Sequence, residues 1–238
     1  MRAVALVHES NDPSGEVGSH LVTRGFDLTE HLITEDIAKP NEATGPLPDL
    51  SEYDLVVVMG SVHSLTRKHE IESWIHDELE AVAAAHRRGQ PVLGICFGGQ
   101  LLAEALGGVV EPSPTTEIGW YRIEATGDGH PPAELGPWMQ WHHDRFHAPT
   151  EAELLARSPA GHQLFRFGKA VGAQFHPEIT AEIIDDWLAH SPSDYLRQHG
   201  VDPVRLAEET RRREPESRAS CRRFVDWYLD TIAFPTGG

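Results

Sequence analysis

Cysteine is scarce: Cys96 and Cys221 are the only two in 238 residues. Two such residues in a chain of this length supply no disulfide framework and suit a reducing compartment. Long apolar runs are missing as well. No stretch approaches the roughly 20 residues needed to span a bilayer. The apolar run within the opening MRAVALVHES is too short for the core of a secretion signal, so a cytoplasmic location is expected. Positive charge is the third shortage. Twenty Lys and Arg stand against 37 Asp and Glu, a net charge of −17, and the only lysines are Lys39, Lys68 and Lys169. A surface this negative repels nucleic-acid phosphate. No Gly-x-x-x-x-Gly-Lys-Ser/Thr loop occurs, so no ATP site of that kind is expected. There is no internal repeat, low-complexity tract or Ser/Gly-rich linker, and a single domain over residues 1–238 is the expected organisation.

What remains is an ordinary globular composition, 39% hydrophobic and 24% charged. A chain of this size buries about 70–75% of its unfolded surface, enough for a core without disulfides or metal. Residues 3–7 form an apolar run, a helix is expected through Leu21 and Val22, and residues 26–33 read as a weaker strand. Residues 54–59 are, after Asp54, continuously apolar up to Gly60, the pattern of a strand buried on both faces of a parallel sheet. Ile71, Trp74, Ile75, Leu79 and Val82 recur at steps of three and four and predict a helix. Arg87 and Arg88 suit its negative end, and Gly89 is a natural C-cap. Residues 91–95 make a short strand, and residues 101–106 begin a further helix closed by Gly107-Gly108. Short β-like runs follow (120–125, 138–142, 154–156, 163–167 and 170–175), then helices over 181–189, 203–213 and 217–233. The expected fold is α/β: a mostly parallel, flavodoxin-like sheet flanked by helices, with an added antiparallel ribbon and a helical C-terminal extension over residues 181–238 packed on it.

The segment Pro91-Val-Leu-Gly-Ile-Cys96-Phe-Gly-Gly-Gln100 delivers a cysteine from a buried strand to a sharp turn opening a helix. Gly94 and Gly98 permit close backbone approach and strained angles, the logic of a nucleophile elbow. A helix N-terminus favours the reactive thiolate, and free N–H groups at such a turn can bind an oxyanion. Free cysteine is nevertheless usually inert packing, and Cys221, within an Arg-rich helical stretch, is given no role. A nucleophile needs a base, and the base an orienting group. Gln174-Phe-His176-Pro-Glu178 offers both at the end of an apolar strand, with His176 and Glu178 two residues apart.

GICFGGQ around Cys96 and QFHPE over residues 174–178 resemble the two motifs of class I, triad-type glutamine amidotransferases, in the order that family has them. The resemblance extends to the GMP-synthase-like branch through Trp141-His142-His143-Asp144, and covers residues 50 to 180 well and the first 50 only in outline. It implies that Cys96 attacks the side-chain amide of glutamine, with His176 as base and Glu178 as its orienter. It implies an oxyanion hole from Phe97 and from Gly60 or Ser61, although the turn at 59–63 departs from the family's usual Gly-Gly-Pro. It also implies substrate contacts from Gln100, Gly119, Trp120, His142 and Asp144. His142, His143, Asp144, His147 and His130 are metal-ligand types, but the family segment already accounts for His142 and Asp144. No metal and no cofactor are expected.

Three functions stay open on the sequence. The first is a glutaminase delivering ammonia to a separate acceptor synthetase. The second is a free-standing hydrolase of γ-glutamyl amides or peptides. The third is a catalytically quiet binding or regulatory protein, against which the intact Cys96, His176 and Glu178 stand.

Overall fold

The computed structural model describes residues 1–126 and 136–235. Its centre is an eight-stranded sheet in the order β2-β1-β3-β4-β10-β9-β8-β6. The strands are β1 (Arg2–Val7), β2 (Asp27–Leu32), β3 (Leu55–Val58), β4 (Val92–Ile95), β6 (Glu124–Ala125), β8 (Glu153–Ser158), β9 (Gly161–Phe167) and β10 (Ala170–Ala173). The first five in sheet order pair in parallel, and β9, β8 and β6 continue the sheet antiparallel. A second, two-stranded sheet joins β5 (Val109–Tyr121) to β7 (Trp138–His147).

Apart from the polar edge strand β2, the parallel strands are apolar on both faces because both faces are covered. Ala3, Ala5 and Val7 of β1 share one core with Val17 and Leu21 of α1 (Gly15–Thr23) and with Phe224, Val225 and Tyr228 of α6 (Pro203–Tyr228). The alternate residues Val4 and Leu6 share the opposite core with Ile75 and Val82 of α2 (Glu72–Arg87) and with Leu101 and Leu102 of α3 (Phe97–Ala105). This alternation is the period-two rule of a strand written into three layers.

Strands β1 to β4 and the helix expected from Leu21 and Val22 lie where the sequence places them, within a residue or two at their ends. Four differences stand out. Helix α3 begins at Phe97, directly after Cys96, and not at residue 101. Strands β5 and β7 are much longer than their apolar runs, because the ribbon they form is half-exposed and therefore rich in polar residues. A short helix, α5 (Ser193–Gln198), follows α4 (Ala181–His190). The two helices expected over 203–213 and 217–233 are one: α6 continues through Pro215 to Tyr228 and ends in a π turn, Leu229–Ala233. Proline removes one helical hydrogen bond. Burial of Leu206 and Thr210 before it, and of Ser217, Cys221 and Phe224 after it, holds both halves on one axis. Among the described residues no helix is long and apolar enough to cross a membrane.

Strand order changes direction at β1: β2 lies on one side of it and β3 on the other. Open α/β sheets form their ligand crevice beyond the carboxyl ends of the strands at such a point.

Candidate active site

The turns following β1, β3, β4 and β10 converge on one cleft of about 620 Å³, whose lining includes Asp12, Ser61, Cys96 and His176. Cys96 is the hinge between β4 and α3. Its φ of 51° makes it the one non-glycine residue with positive φ among those described, a conformation that costs an L-residue energy and recurs at functional sites. The glycines after it let the first turn of α3 press into the sheet. A Cβ on Gly98 would lie 2.0 Å from the Val58 carbonyl oxygen, and one on Gly99 2.3 Å from that of Ala173. The Cys96 N–H donates to Ala173 O at 2.8 Å and Gly98 N–H to Met59 O at 3.0 Å, so three strands fix the elbow. The thiol is almost buried, 3.8 Å from the Trp141 carbonyl oxygen and from Gln174 Nε2.

His176 and Glu178 do meet, through a turn at Pro177 and not along an extended strand. His176 Nδ1–H donates to Glu178 Oε1 at 2.7 Å, while Nε2 has no hydrogen-bond partner among the described residues. The His176 N–H donates to Met139 O at 2.9 Å, so β7 fastens the segment. Burial acts to lower the imidazole pKa, but the nearby Cys96 thiolate and then Glu178 outweigh it and raise it well above 6.5. A cysteine, an imidazole and a buried carboxyl group in series can run nucleophilic acyl transfer.

Phe97 and Ser61 line the same cleft, and Gly60 lies behind it: a Cβ there would fall 2.2 Å from Asp12 Oδ2 and 3.3 Å from His176 Cε1. Gln100 also lines the cleft, with its amide nitrogen turned inward to Asp144 O at 3.1 Å and Gln174 Oε1 at 3.3 Å. His142 Nδ1–H donates to Asp144 O at 2.9 Å, and its Nε2 lies 3.0 Å from Glu117 Oε2. The Asp144 carboxylate accepts from Ser64 Oγ, tying β7 to the loop after β3.

Gly119 and Trp120 are not brought to the cleft. Gly119 pairs with Gln140 inside the ribbon, and Trp120 donates its indole N–H to Thr210 Oγ1 at 3.2 Å beneath the Arg213 guanidinium. The opposite strand of the ribbon, β7, supplies the cleft instead, through Trp141 to Asp144. Along β7 the buried His142 and Asp144 alternate with the less buried His143 and His147, as a strand requires. His143 bonds Thr116 and Tyr195, and His147 bonds Glu111. Among the described residues no three His, Cys, Asp or Glu side chains are grouped to hold a metal, and His130 lies outside them. Cys221 is wholly buried, and burial raises its thiol pKa well above 9, as suits core packing.

Several cleft and supporting residues carry no sequence motif. Asp12 is buried near His176 and Glu178, and burial, then the Glu178 carboxylate, push it up to about 8 against the opposing effect of His176. Glu9 accepts from Ser61 Oγ at 2.7 Å, and His8 contacts Gly60 from behind. Trp187 sits edge-on to His176, ring centroids 5.0 Å apart, and to Trp141 at 5.6 Å. The available signal was position: His8, Glu9 and Asp12 are polar groups immediately beyond the carboxyl end of a buried strand, where such folds place ligands.

Known proteins with related sequences and folds share this framework. The family model for class I glutamine amidotransferases matches residues 17–188. The chain is 31% identical over 226 residues to the putative glutamine amidotransferase-like protein YfeJ of Salmonella typhimurium, covering 89% of this chain and 90% of that protein. Against the glutamine-hydrolyzing GMP synthase of Aeropyrum pernix, it is 38% identical over 125 residues, 48% of this chain but only 24% of the larger protein. The crystal structure of a glutamine amidotransferase from Thermotoga maritima superposes with a TM-score of 0.82 at 27% identity, covering 97% of this chain and 99% of that one. With a family match over most of its length and Cys96 at the elbow between β4 and α3, this chain belongs to the class I glutamine amidotransferase family.

Proposed function

We propose that the protein hydrolyses the side-chain amide of glutamine through a γ-glutamyl thioester on Cys96. The observation that carries this is the series of Cys96 and His176, which line the cleft, and Glu178, buried behind them, with the imidazole bonded to the carboxylate at Nδ1 and, among the described residues, without a hydrogen-bond partner at Nε2. The Cys96 thiolate adds to the amide carbonyl carbon. The oxyanion is met by the Phe97 N–H, which as the first residue of α3 has no intrahelical acceptor, and by an N–H of the Gly60–Ser61 turn. His176 gives its proton to the departing nitrogen, ammonia leaves, and the thioester remains. His176 then takes a proton from water as the water attacks, and glutamate is released. Glu178 holds the ring in the tautomer that presents Nε2 to these transfers. Gln100, His142 and Asp144 shape the floor that receives the amino-acid end of the substrate. The ammonia is used by an acceptor synthetase acting in trans.

The test is ammonia release from glutamine by the purified chain, alone and with candidate ATP-dependent synthetases. Cys96→Ala should abolish it while leaving the melting temperature within a few degrees. An active Cys96→Ala protein would rule the scheme out.

The cleft favours a second reading. Its volume of about 620 Å³ is that of a site for a drug-sized ligand. Trp141, Trp187 and Tyr195 face it as an aromatic wall, with Trp141 Nε1–H bonded to the Tyr195 hydroxyl at 3.1 Å. On this reading the same thioester chemistry cleaves γ-glutamyl amides whose leaving amine carries a bulky substituent against that wall. Amine release from a panel of γ-glutamyl compounds separates the two: strong turnover of bulky amides over glutamine would displace the docked glutaminase.

A further inference from the structure

Two residues just past the end of β1 grip the turn just past the end of β3. His8 is completely buried and bonded at both ring nitrogens. Nδ1–H donates to the Gly60 carbonyl oxygen at 2.7 Å, and Nε2 lies 3.2 Å from each oxygen of Glu78, a wholly buried carboxylate on α2. The ring is packed against Trp74, centroids 5.3 Å apart, and stands edge-on to Phe97 at 4.7 Å. Burial works against its charge, but Glu78 overcomes this and holds the imidazole pKa at about 9, so at neutral pH both nitrogens donate. Glu9, the next residue, accepts from the Ser61 hydroxyl at 2.7 Å.

The consequence lies in the peptide joining Gly60 to Ser61. It is trans, so its carbonyl oxygen and its N–H point to opposite sides of the chain. His8 and Glu78 do not line the cleft, whereas Ser61 does, beside Cys96 and Phe97. A carbonyl drawn back to His8 therefore turns the Ser61 N–H forward to the cleft. Reversing that peptide would strip His8 of its acceptor and leave a buried, charged donor unsatisfied, a heavily penalised state.

We propose that His8, anchored by Glu78, is a positioning residue that locks the Gly60–Ser61 peptide with the Ser61 N–H facing Cys96, so that the oxyanion hole is assembled in the isolated chain. This rests on the Cys96 chemistry proposed above and adds to it the donor and the device that sets it. Docking of a partner is then unnecessary for turning the peptide.

The experiment compares two thiol reagents on the purified full-length protein. A chloroketone analogue of glutamine presents a carbonyl whose oxygen must enter the hole, whereas iodoacetamide alkylates Cys96 without forming an oxyanion. Removing His8 alone would leave Glu78 unpaired, so the disabling variant is His8→Leu/Glu78→Leu. The rescuing variant is His8→Asn/Glu78→Leu, whose amide Nδ2 occupies the place of the imidazole Nδ1 and which leaves no carboxylate unpaired. The His8→Leu/Glu78→Leu variant should lose about 100- to 1000-fold in kcat for glutamine, the usual effect of removing one oxyanion donor, with KM within a few-fold. Its chloroketone labelling should slow at least tenfold and its iodoacetamide labelling should not change. His8→Asn/Glu78→Leu should recover most of both losses. The proposal is overturned if His8→Leu/Glu78→Leu keeps wild-type chloroketone labelling, if both reagents slow together, or if His8→Asn/Glu78→Leu is no better than His8→Leu/Glu78→Leu. A wild-type chain that the chloroketone does not label at Cys96 would instead overturn the assignment of Cys96 itself.

Discussion

Glu178 Oε1 accepts a 2.7 Å hydrogen bond from His176 Nδ1, and the opposite ring nitrogen is left unbonded beside Cys96. A ring pinned at one nitrogen presents the other in a fixed direction and a fixed tautomer. The Glu178 charge also counters the lowering effect of burial on His176, second to the Cys96 thiolate. Glu178→Gln keeps an acceptor for Nδ1–H but removes the charge. Its kcat should fall roughly 100-fold, toward the lower end of what general acid–base catalysis supplies. The imidazole pKa should also drop toward its ordinary value, moving the alkaline limb of the kcat/KM profile to lower pH. A profile with its alkaline limb unmoved would show that the carboxylate does not tune the base.

The φ of 51° at Cys96 is strain held in place by Ala173, Met59 and the glycines of α3. Alanine at this position inherits the strain, whereas glycine adopts the left-handed region freely. Cys96→Gly should therefore be more stable than Cys96→Ala by about 1 kcal/mol, despite the greater entropy glycine loses on folding. Urea unfolding of the two inactive variants makes the comparison. Equal midpoints would mean that the elbow stores no strain.

The motifs at Cys96 and at His176–Glu178 were legible because their chemistry is local. Strand, elbow and helix are contiguous, and His176 and Glu178 sit two residues apart, so a short window of sequence contains each unit. Strands β1, β3 and β4 were legible for the same reason, as apolar runs covered on both faces; the run over 170–175 reads instead as part of the added ribbon and edge strands, and only the fold shows that β10 pairs in parallel with β4. The contacts of His8 with Gly60 and Glu78 were not legible, because they span 52 and 70 residues and no local pattern marks a partner that far away. Likeness alone puts Gly119 and Trp120 at the cleft, and the fold does not: a ribbon has two strands, and its register decides which of them reaches the site. The continuity of α6 through Pro215 was hidden by a local rule that tertiary packing overrides.

Asp12 gives the protein a stability that depends on pH. Burial and Glu178 hold its native pKa at about 8, against 3.8 for the free side chain. Between these values the native state keeps a proton that the unfolded state has released. Stability therefore falls as pH rises through that window, by at most about 1.4 kcal/mol per pH unit for one proton. Asp12→Asn is neutral throughout and should flatten the decline in urea midpoint between pH 5 and pH 8. His8, raised from 6.5 to about 9, contributes a decline of the same sign over the upper part of the range, which the variant should retain. Parallel curves for the two proteins from pH 5 to pH 6.5, where His8 contributes least, would show that Asp12 is ionised in the native state.

Trp187 offers the sharpest test of which amine leaves. It projects from α4 into the cleft, donates its indole N–H to the Asn11 carbonyl at 2.8 Å, and stands edge-on to both His176 and Trp141. Glutamine, which releases only ammonia, needs no wall at this distance from the carbonyl. A γ-glutamyl amide with an aromatic or long aliphatic amine would bury that group against Trp187 and its neighbours. Trp187→Ala removes the apolar surface and deprives such a substrate of one contact worth about 1–3 kcal/mol, or roughly 10- to 200-fold. Some loss of kcat on every substrate is expected, because the indole also packs on His176. The decisive quantity is the ratio of kcat/KM for a γ-glutamyl anilide to that for glutamine. If bulky amides are the working substrates, the ratio should fall at least tenfold in Trp187→Ala. A ratio unchanged within twofold would leave Trp187 as a support for the His176 ring and favour the glutaminase that feeds a partner enzyme.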